Sequence, residues 1–222
     1  NKPRGIVSTM HDEDGCPDLR EFTDQVEDRL YNVGRLDTDT SGLLILTNDG
    51  DLAHKLAHPS FGVQKTYIAK VRGRVLPATI QQLRDGIELA DGPIRVDRAK
   101  LLPGGSGKTH SLIEVTLHSG RNRIVRRMLA EVGHPVEELV RRQFGPLNLG
   151  TLRVGEMREL SAGERGAHRG MPDAQGEHRR QAAAHGARGS AAAEEDRGRA
   201  EPADQPGAAG AEEAGGRIDR VR

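Results

Sequence analysis

Apolar residues recur along this chain with two different spacings, and the change of spacing marks out its elements. Between Lys65 and Gly73 the positions Tyr67, Ala69 and Val71 alternate with other neighbours, as in a half-buried strand. Leu43–Asn48 is a short apolar run closed by Asn48-Asp49-Gly50, which predicts a buried strand followed by a turn. Further strands are expected at Gly5–Met10, Ile94–Leu101 and Ser111–His118, with strand material at Leu147–Leu149 and Arg153–Glu159. Helices are expected at Asp18–Val26, with an acidic start, and at Asp51–Ala57, with Asp49 or Asp51 near the cap. Two more are expected at Pro77–Gly86, with Pro77 near the start, and at Arg121–Val132, ended by Gly133. Strands and helices mix without regular βαβ alternation, which predicts the α+β class.

This patterning ends near Ser161. All the aromatic residues (Phe22, Tyr31, Phe61, Tyr67, Phe144) lie before it. Among Leu, Ile, Val, Phe and Met, residues 162–222 hold only Met171, Ile218 and Val221. Residues 1–161 therefore read as the folded domain and 162–222 as a disordered tail rich in Ala, Gly, Arg and Glu. Such a tail cannot offset an ordering cost of roughly 1–2 kcal/mol per residue. The same composition also fits a marginal helix around Arg179–Ala193, or a frameshifted reading of a GC-rich gene. At the other end, Asn1-Lys2-Pro3-Arg4-Gly5 enters strand-like sequence without an initiator Met, and upstream sequence is expected to be missing.

Composition excludes some classes of function. A single cysteine, Cys16, rules out an internal disulfide framework and a multi-cysteine metal site. No apolar run is long enough to span a membrane, so a cytoplasmic protein is expected. With 33 Lys and Arg against 33 Asp and Glu, bulk charge does not advertise a nucleic-acid partner. The charge is nevertheless uneven, since Arg121-Asn122-Arg123-Ile124-Val125-Arg126-Arg127 carries four arginines and no acid.

Three motifs could carry chemistry. Gly34-Arg35-Leu36-Asp37-Thr38-Asp39-Thr40-Ser41-Gly42-Leu43-Leu44 sets a carboxylate between a glycine loop and an apolar strand. Carboxylate chemistry needs such a rigid, partly shielded mount, although a polar turn with local backbone bonds has the same look. Lys65-Thr66-Tyr67 places on a strand an aromatic able to stack on a base, or simply a core tyrosine. In Ser119–Leu129 the apolar Ile124 and Met128 share a helix side, Arg123 and Arg127 form a second pair, and Arg126 points elsewhere. The arginines thus occupy more than one face, as a phosphate-binding surface with one inward arginine would require; a solvated basic face is the plainer alternative.

In this order the three motifs resemble the RsuA-type family of pseudouridine synthases, with its GRLD-x-x-T-x-GLL, K-T-Y and GRNR-x-VRRML motifs. The opening Asn1-Lys2-Pro3-Arg4-Gly5 and Leu46-Thr47-Asn48-Asp49-Gly50 match as well, so the resemblance covers residues 1 to about 160. The GRNR form is similar to the branch acting on large-subunit rRNA. The chain departs from the pattern in two places. The family usually carries an S4-type RNA-binding domain upstream, and that branch usually has an acid where Ile124 stands.

The resemblance implies a catalytic fold with a mixed, mostly antiparallel central sheet flanked by helices. It implies Asp37 as nucleophile, Arg126 as the basic residue paired with it, and Tyr67 as the aromatic stacked on the target base, helping to remove the C5 proton. Arg35, Arg121, Asn122, Arg123 and Arg127 would contact RNA. It implies no cofactor and no metal, a monomer, and a ribosomal RNA partner, 23S or within a pre-ribosomal particle. Competing readings are a non-catalytic RNA-binding or ribosome-assembly module and an inactive fragment of a synthase. A glycosidase is also conceivable, but its two acids must oppose each other, and Asp37 and Asp39 are too close in sequence to require that.

Overall fold

The computed structural model describes residues 1–24, 26–103, 107 and 109–169, all of which belong to one compact unit, Asn1–Arg179. In chain order the elements are α1 (Arg20–Thr23), β1 (Tyr31–Val33), β2 (Ser41–Gly42), β3 (Ile45–Thr47), α2 (Gly50–Ala57), β4 (Lys65–Arg72), α3 (Pro77–Asp85), β5 (Ile87–Leu89) and β6 (Gly92–Ile94). There follow β7 (Arg98–Leu101), β8 (His110–Leu117), α4 (Ile124–Glu131), β9 (Val136–Phe144), β10 (Leu147–Asn148) and α5 (Ala162–Arg169).

The main sheet runs β10-β9-β4-β8-β7, antiparallel throughout, and β2 adds to β9 in parallel. The expected mixed, mostly antiparallel sheet in an α+β fold is therefore present. Two small pairs, β1 with β3 and β5 with β6, stand apart from it. The strand that joins β2, β10 and β4, namely β9, is one that the hydrophobic pattern does not announce.

Local chemistry accounts for the elements that were expected. Asp49 caps α2 by accepting from Leu52 N at 3.0 Å, and Pro77 opens α3, where its missing N–H costs nothing. In α4 the buried residues are Ile124, Val125, Met128 and Leu129, a contiguous stripe that turns the helix towards the sheet.

Four expectations fail, because other partners, distant in two cases and in a local turn in the others, claimed the backbone. Gly5–Met10 is not a strand. Gly5 N donates to Thr38 O at 2.7 Å and Val7 N to Pro17 O at 2.9 Å, so the segment is pinned to two different loops. Ile94–Leu101 breaks in two, with Val96 N bonding Leu83 O of α3 and Asp97 N bonding Thr116 O. The Asp18 helix contracts to Arg20–Thr23, because the Asp18 carboxylate accepts from Asp12 N and Arg20 N and so closes a turn ahead of the helix. Arg153–Glu159 forms no strand; Glu156 reaches back to Arg153 N and the Asn1 backbone bonds Gly155.

The described chain continues past Ser161 as α5, whose start is held by Ser161 Oγ on Glu164 N and by Arg158 paired to Glu164 at 2.7 Å. The helix considered for Arg179–Ala193 lies outside the described residues.

Two apolar clusters form the core. One joins β4, β7, β8, α3 and α4 through Val71, Leu83, Ile113, Val115 and Met128. The other gathers Val33, Ile45, Leu56, Phe144 and Leu147 beneath the loop that follows β1.

Candidate active site

Asp37 stands on a turn whose supports come from all sides. Thr40 N donates to Asp37 O at 3.0 Å, closing the turn. Leu36, just before it, is buried; its N–H donates to Ser8 Oγ at 3.1 Å, and the same hydroxyl donates to Leu36 O at 2.7 Å. At the far end, Lys2 and Gly42 exchange both backbone bonds, at 2.8 and 3.0 Å. This is the task of the Lys2–Ser8 segment: it clamps the loop instead of extending the sheet. The result is a carboxylate about one-third exposed on a fixed backbone.

Gly42 shows why the loop ends in glycine. Its φ is 110°, and a Cβ there would sit 2.4 Å from Arg141 O. That close approach lets Leu43 N bond Arg141 O at 2.8 Å and brings the loop onto β9.

Two arginines, Arg123 and Arg126, reach the loop from α4. Arg123 lies at the N-terminus of α4 in the left-handed region, φ 47°, and is the one non-glycine residue with positive φ among those described. Such a conformation costs of order 1 kcal/mol and persists where surroundings impose it. Here its guanidinium grips Asp39 with two hydrogen bonds, 3.1 and 2.8 Å, while Nη1 lies 3.3 Å from Asp37 Oδ2. Arg126 is nearly buried. Its Nη2 donates to Asp39 O at 2.9 Å and lies 3.3 Å from Asp39 Oδ2; Nη1 donates to Val136 O at 3.3 Å; Nε is buried without a partner among the described residues. Arg126 therefore ties α4 to the loop, and the direct ion pair of Asp37 is made by Arg123.

Charge follows this geometry. The hydrogen bonds from Arg123 hold the Asp39 carboxyl below its ordinary value and raise Arg123 in turn. Burial lowers Arg126, with the Asp39 charge opposing it. Lys2, buried beneath the loop with Nζ donating to Ile6 O at 2.7 Å, is pushed down to about 8 by desolvation, against the pull of Asp37 and Asp39.

Tyr67 is half-buried on β4, against the first apolar cluster, with β9 residue Arg141 as its cross-strand partner. The remaining sequence candidates lie at the surface. Arg35 and Asn122 are exposed. Arg127 is clasped by Asp91 on the β5–β6 turn through two bonds, 2.8 and 2.9 Å, and Arg121 lies 3.7 Å from the same carboxylate. Sequence reasoning missed Asp91, which falls in none of the three motifs, and counted Arg141 only among cations that could attract RNA.

A cavity of about 590 Å³ opens beside Phe22, Leu46, Leu149 and Leu160; Asp37, Tyr67 and Arg126 do not line it. Asp37, Asp39 and Arg123 are instead partly exposed outside that cavity, a placement that suits a polymer better than an enclosed small molecule. Among the described residues no helix is long and apolar enough to cross a membrane.

A fixed, half-shielded carboxylate ringed by arginines on a mixed sheet defines a class of enzyme acting on polyanions. The model of the RNA pseudouridylate synthase family matches residues 1–131, and the chain belongs to that family. It is 53% identical over 169 residues to an uncharacterized RNA pseudouridine synthase of Mycobacterium tuberculosis, covering 75% of this chain and 66% of that one. It is 45% identical over 163 residues to the ribosomal large subunit pseudouridine synthase B of Bacillus subtilis, covering 73% and 67%. A crystal structure of a pseudouridylate synthase superposes with a TM-score of 0.66 at 31% identity, covering 76% of this chain and 71% of that one. The chain spans about two thirds of the length of these relatives.

Proposed function

We propose that this chain isomerises a uridine of ribosomal RNA, in the large subunit, to pseudouridine, with Asp37 as the attacking carboxylate. The observation that carries the reading is Asp37 itself, clamped by Ser8, Lys2 and Gly42 and flanked by Arg123. A nucleophile so held loses little freedom on reaching the transition state. The B. subtilis relative's name supports the large subunit as the source of substrate.

In this reaction the N1–C1′ bond of the target uridine breaks, the uracil turns, and C5 joins C1′. C5 then loses its proton and N1 gains one, so that substrate and product are isomers. The hydrogen bonds from Arg123 favour the ionised form of Asp39, and the same guanidinium lies 3.3 Å from Asp37 Oδ2 before RNA arrives. The target base must leave its stack at a cost of a few kcal/mol, which contacts from Arg35, Arg121, Asn122, Arg123 and Arg127 to the backbone would offset. Tyr67 would stack on the extruded base. The protein would act as a cytoplasmic monomer, with residues 1–161 as its catalytic domain.

Pseudouridine mapping of rRNA from cells with and without the gene tests the reading. One or more sites in 23S rRNA should disappear with the gene and return with the wild-type copy but not with Asp37→Asn. Unchanged maps in both subunits would reject it.

A further inference from the structure

Arg141 is a buried cation to which no motif assigned a task. It sits in the middle of β9, 2% exposed, with Gly42 of β2 as its partner on one side and Tyr67 of β4 on the other. Its Nε donates to Leu43 O at 2.7 Å, and its guanidinium lies 4.9 Å from the Phe144 ring centre. Nη2 is buried and has no hydrogen-bond partner among the described residues. Among the described residues no carboxylate pairs with it. Burial lowers the guanidinium, and the Tyr67 side chain is the group that opposes this, by charge and by hydrogen bonding. The Tyr67 contact stops short of satisfying Nη2. A second cation is close by, since Lys65 lies 5.4 Å from the same Phe144 ring and is pushed down to about 8, first by burial and then by Arg141.

An unpaired buried charge is costly, and an apolar side chain would fill the same space at lower cost. Tying β2 to β9 does not need the charge either, since the backbone bond from Leu43 N to Arg141 O already makes that junction. A positive charge held beside Tyr67 would stabilise negative charge developing on the tyrosine oxygen.

We infer that Arg141 is a positioning residue for Tyr67: it holds the tyrosine hydroxyl towards the target base and supplies the positive charge opposite its oxygen when that oxygen removes the C5 proton. The inference rests on the pseudouridine reading above. In this step the Tyr67 oxygen takes the proton from C5, after the C5–C1′ bond has formed, as its own hydroxyl proton passes to solvent. The C5–H electron pair moves into the C5–C6 double bond, and the C6–N1 π pair moves onto N1, which takes a proton from solvent. Atoms and charge balance, and no further reactant is required.

The test uses single-turnover rates at saturating rRNA fragment carrying either hydrogen or deuterium at C5 of uridine. Arg141→Met should slow the reaction by about tenfold or more and raise the C5 isotope effect above the wild-type value, because proton removal becomes the slow step. Arg141→Lys keeps the charge and should recover part of the rate; it also keeps the test open if the Met variant does not fold. The double variant Tyr67→Phe with Arg141→Met should be no slower than Tyr67→Phe by more than about twofold, since both act on one step. A slower Arg141→Met enzyme with an unchanged isotope effect, or losses that multiply in the double variant, would leave Arg141 a structural tie and overturn the inference. Wild-type protein that forms no pseudouridine would instead sink the functional reading, and a Tyr67→Phe enzyme with wild-type rate and isotope effect would remove the proton-accepting role on which Arg141 depends.

Discussion

The guanidinium of Arg123 bridges two carboxylates, lying 2.8 Å from Asp39 Oδ2 and 3.3 Å from Asp37 Oδ2. Arg126, one helical step further in, spends its donors on Asp39 and Val136. Two arginines therefore divide the work around the loop: Arg123 meets the proposed nucleophile from the solvent side, and Arg126 locks the loop to α4 from within.

Asp37→Asn is expected to lower turnover at least about a thousandfold, because an amide keeps the shape but not the nucleophilicity. Stability should hold within about 1 kcal/mol, since the loop's backbone clamps do not involve this side chain. Tritium release from C5-labelled RNA, alongside a thermal melt, checks both halves. Turnover near wild type would remove Asp37 from its role.

Arg126→Ala should damage turnover more than Arg127→Ala, and should also lower the melting temperature, because it strips a nearly buried tie between α4 and the loop. Arg127 is already engaged by Asp91, so Asp91→Asn should release Arg121 and Arg127 to phosphate and tighten RNA binding a few-fold, the scale of a surface ion pair. Filter binding at two salt concentrations would show this. Weaker binding by Asp91→Asn would mean that the clasp orients the arginines for RNA instead of competing with it.

Gly42→Ala should destabilise the fold by about 2–4 kcal/mol, combining a left-handed backbone with a Cβ 2.4 Å from Arg141 O. Chemical denaturation measures it. A change within about 0.5 kcal/mol would show that β2 can move off β9.

Lys65→Met should stabilise the protein at pH 7, and the gain should shrink as pH rises. Free lysine titrates near 10.5, and burial brings Lys65 to about 8. Between those values the unfolded chain holds a proton that the folded chain has released, so wild-type stability rises with pH across that window. Below about pH 8 the cost of burying the charge weighs in full. Melts of both proteins from pH 7 to 10 test the sign; a gap that widens with pH would refute it.

Where chemistry is local, the sequence by itself was enough. Asp49 and Pro77 mark their helix starts through bonds within one turn, and Tyr67, Ala69 and Val71 mark β4 by alternation. The stripe of Ile124 and Met128 orients α4 and separates Arg126 from Arg123 and Arg127. The carboxylate-bearing loop is legible too, because its residue types and their spacing can be read without knowing what surrounds them.

Tertiary structure decided what depends on partners far along the chain. Val136–Phe144 carries five charged or amide side chains and no clear alternation, yet it is the longest strand, because β4 and β2 saturate its edges and pairs such as Lys70 with Glu138 at 2.9 Å sit across the register. Gly5–Met10 has the composition of a strand and becomes a clamp, because the loop at Asp37 offers its backbone groups first. The choice between Arg123 and Arg126 as the partner of Asp37 turns on where α4 begins, a boundary set by a left-handed residue that periodicity does not reveal. Arg141 reads in sequence as one more surface cation beside Arg142. The register puts it between Gly42 and Tyr67, on the face where the Phe144 ring lies 4.9 Å from its guanidinium, whereas Arg142, the next residue on the strand, faces the other way and is exposed.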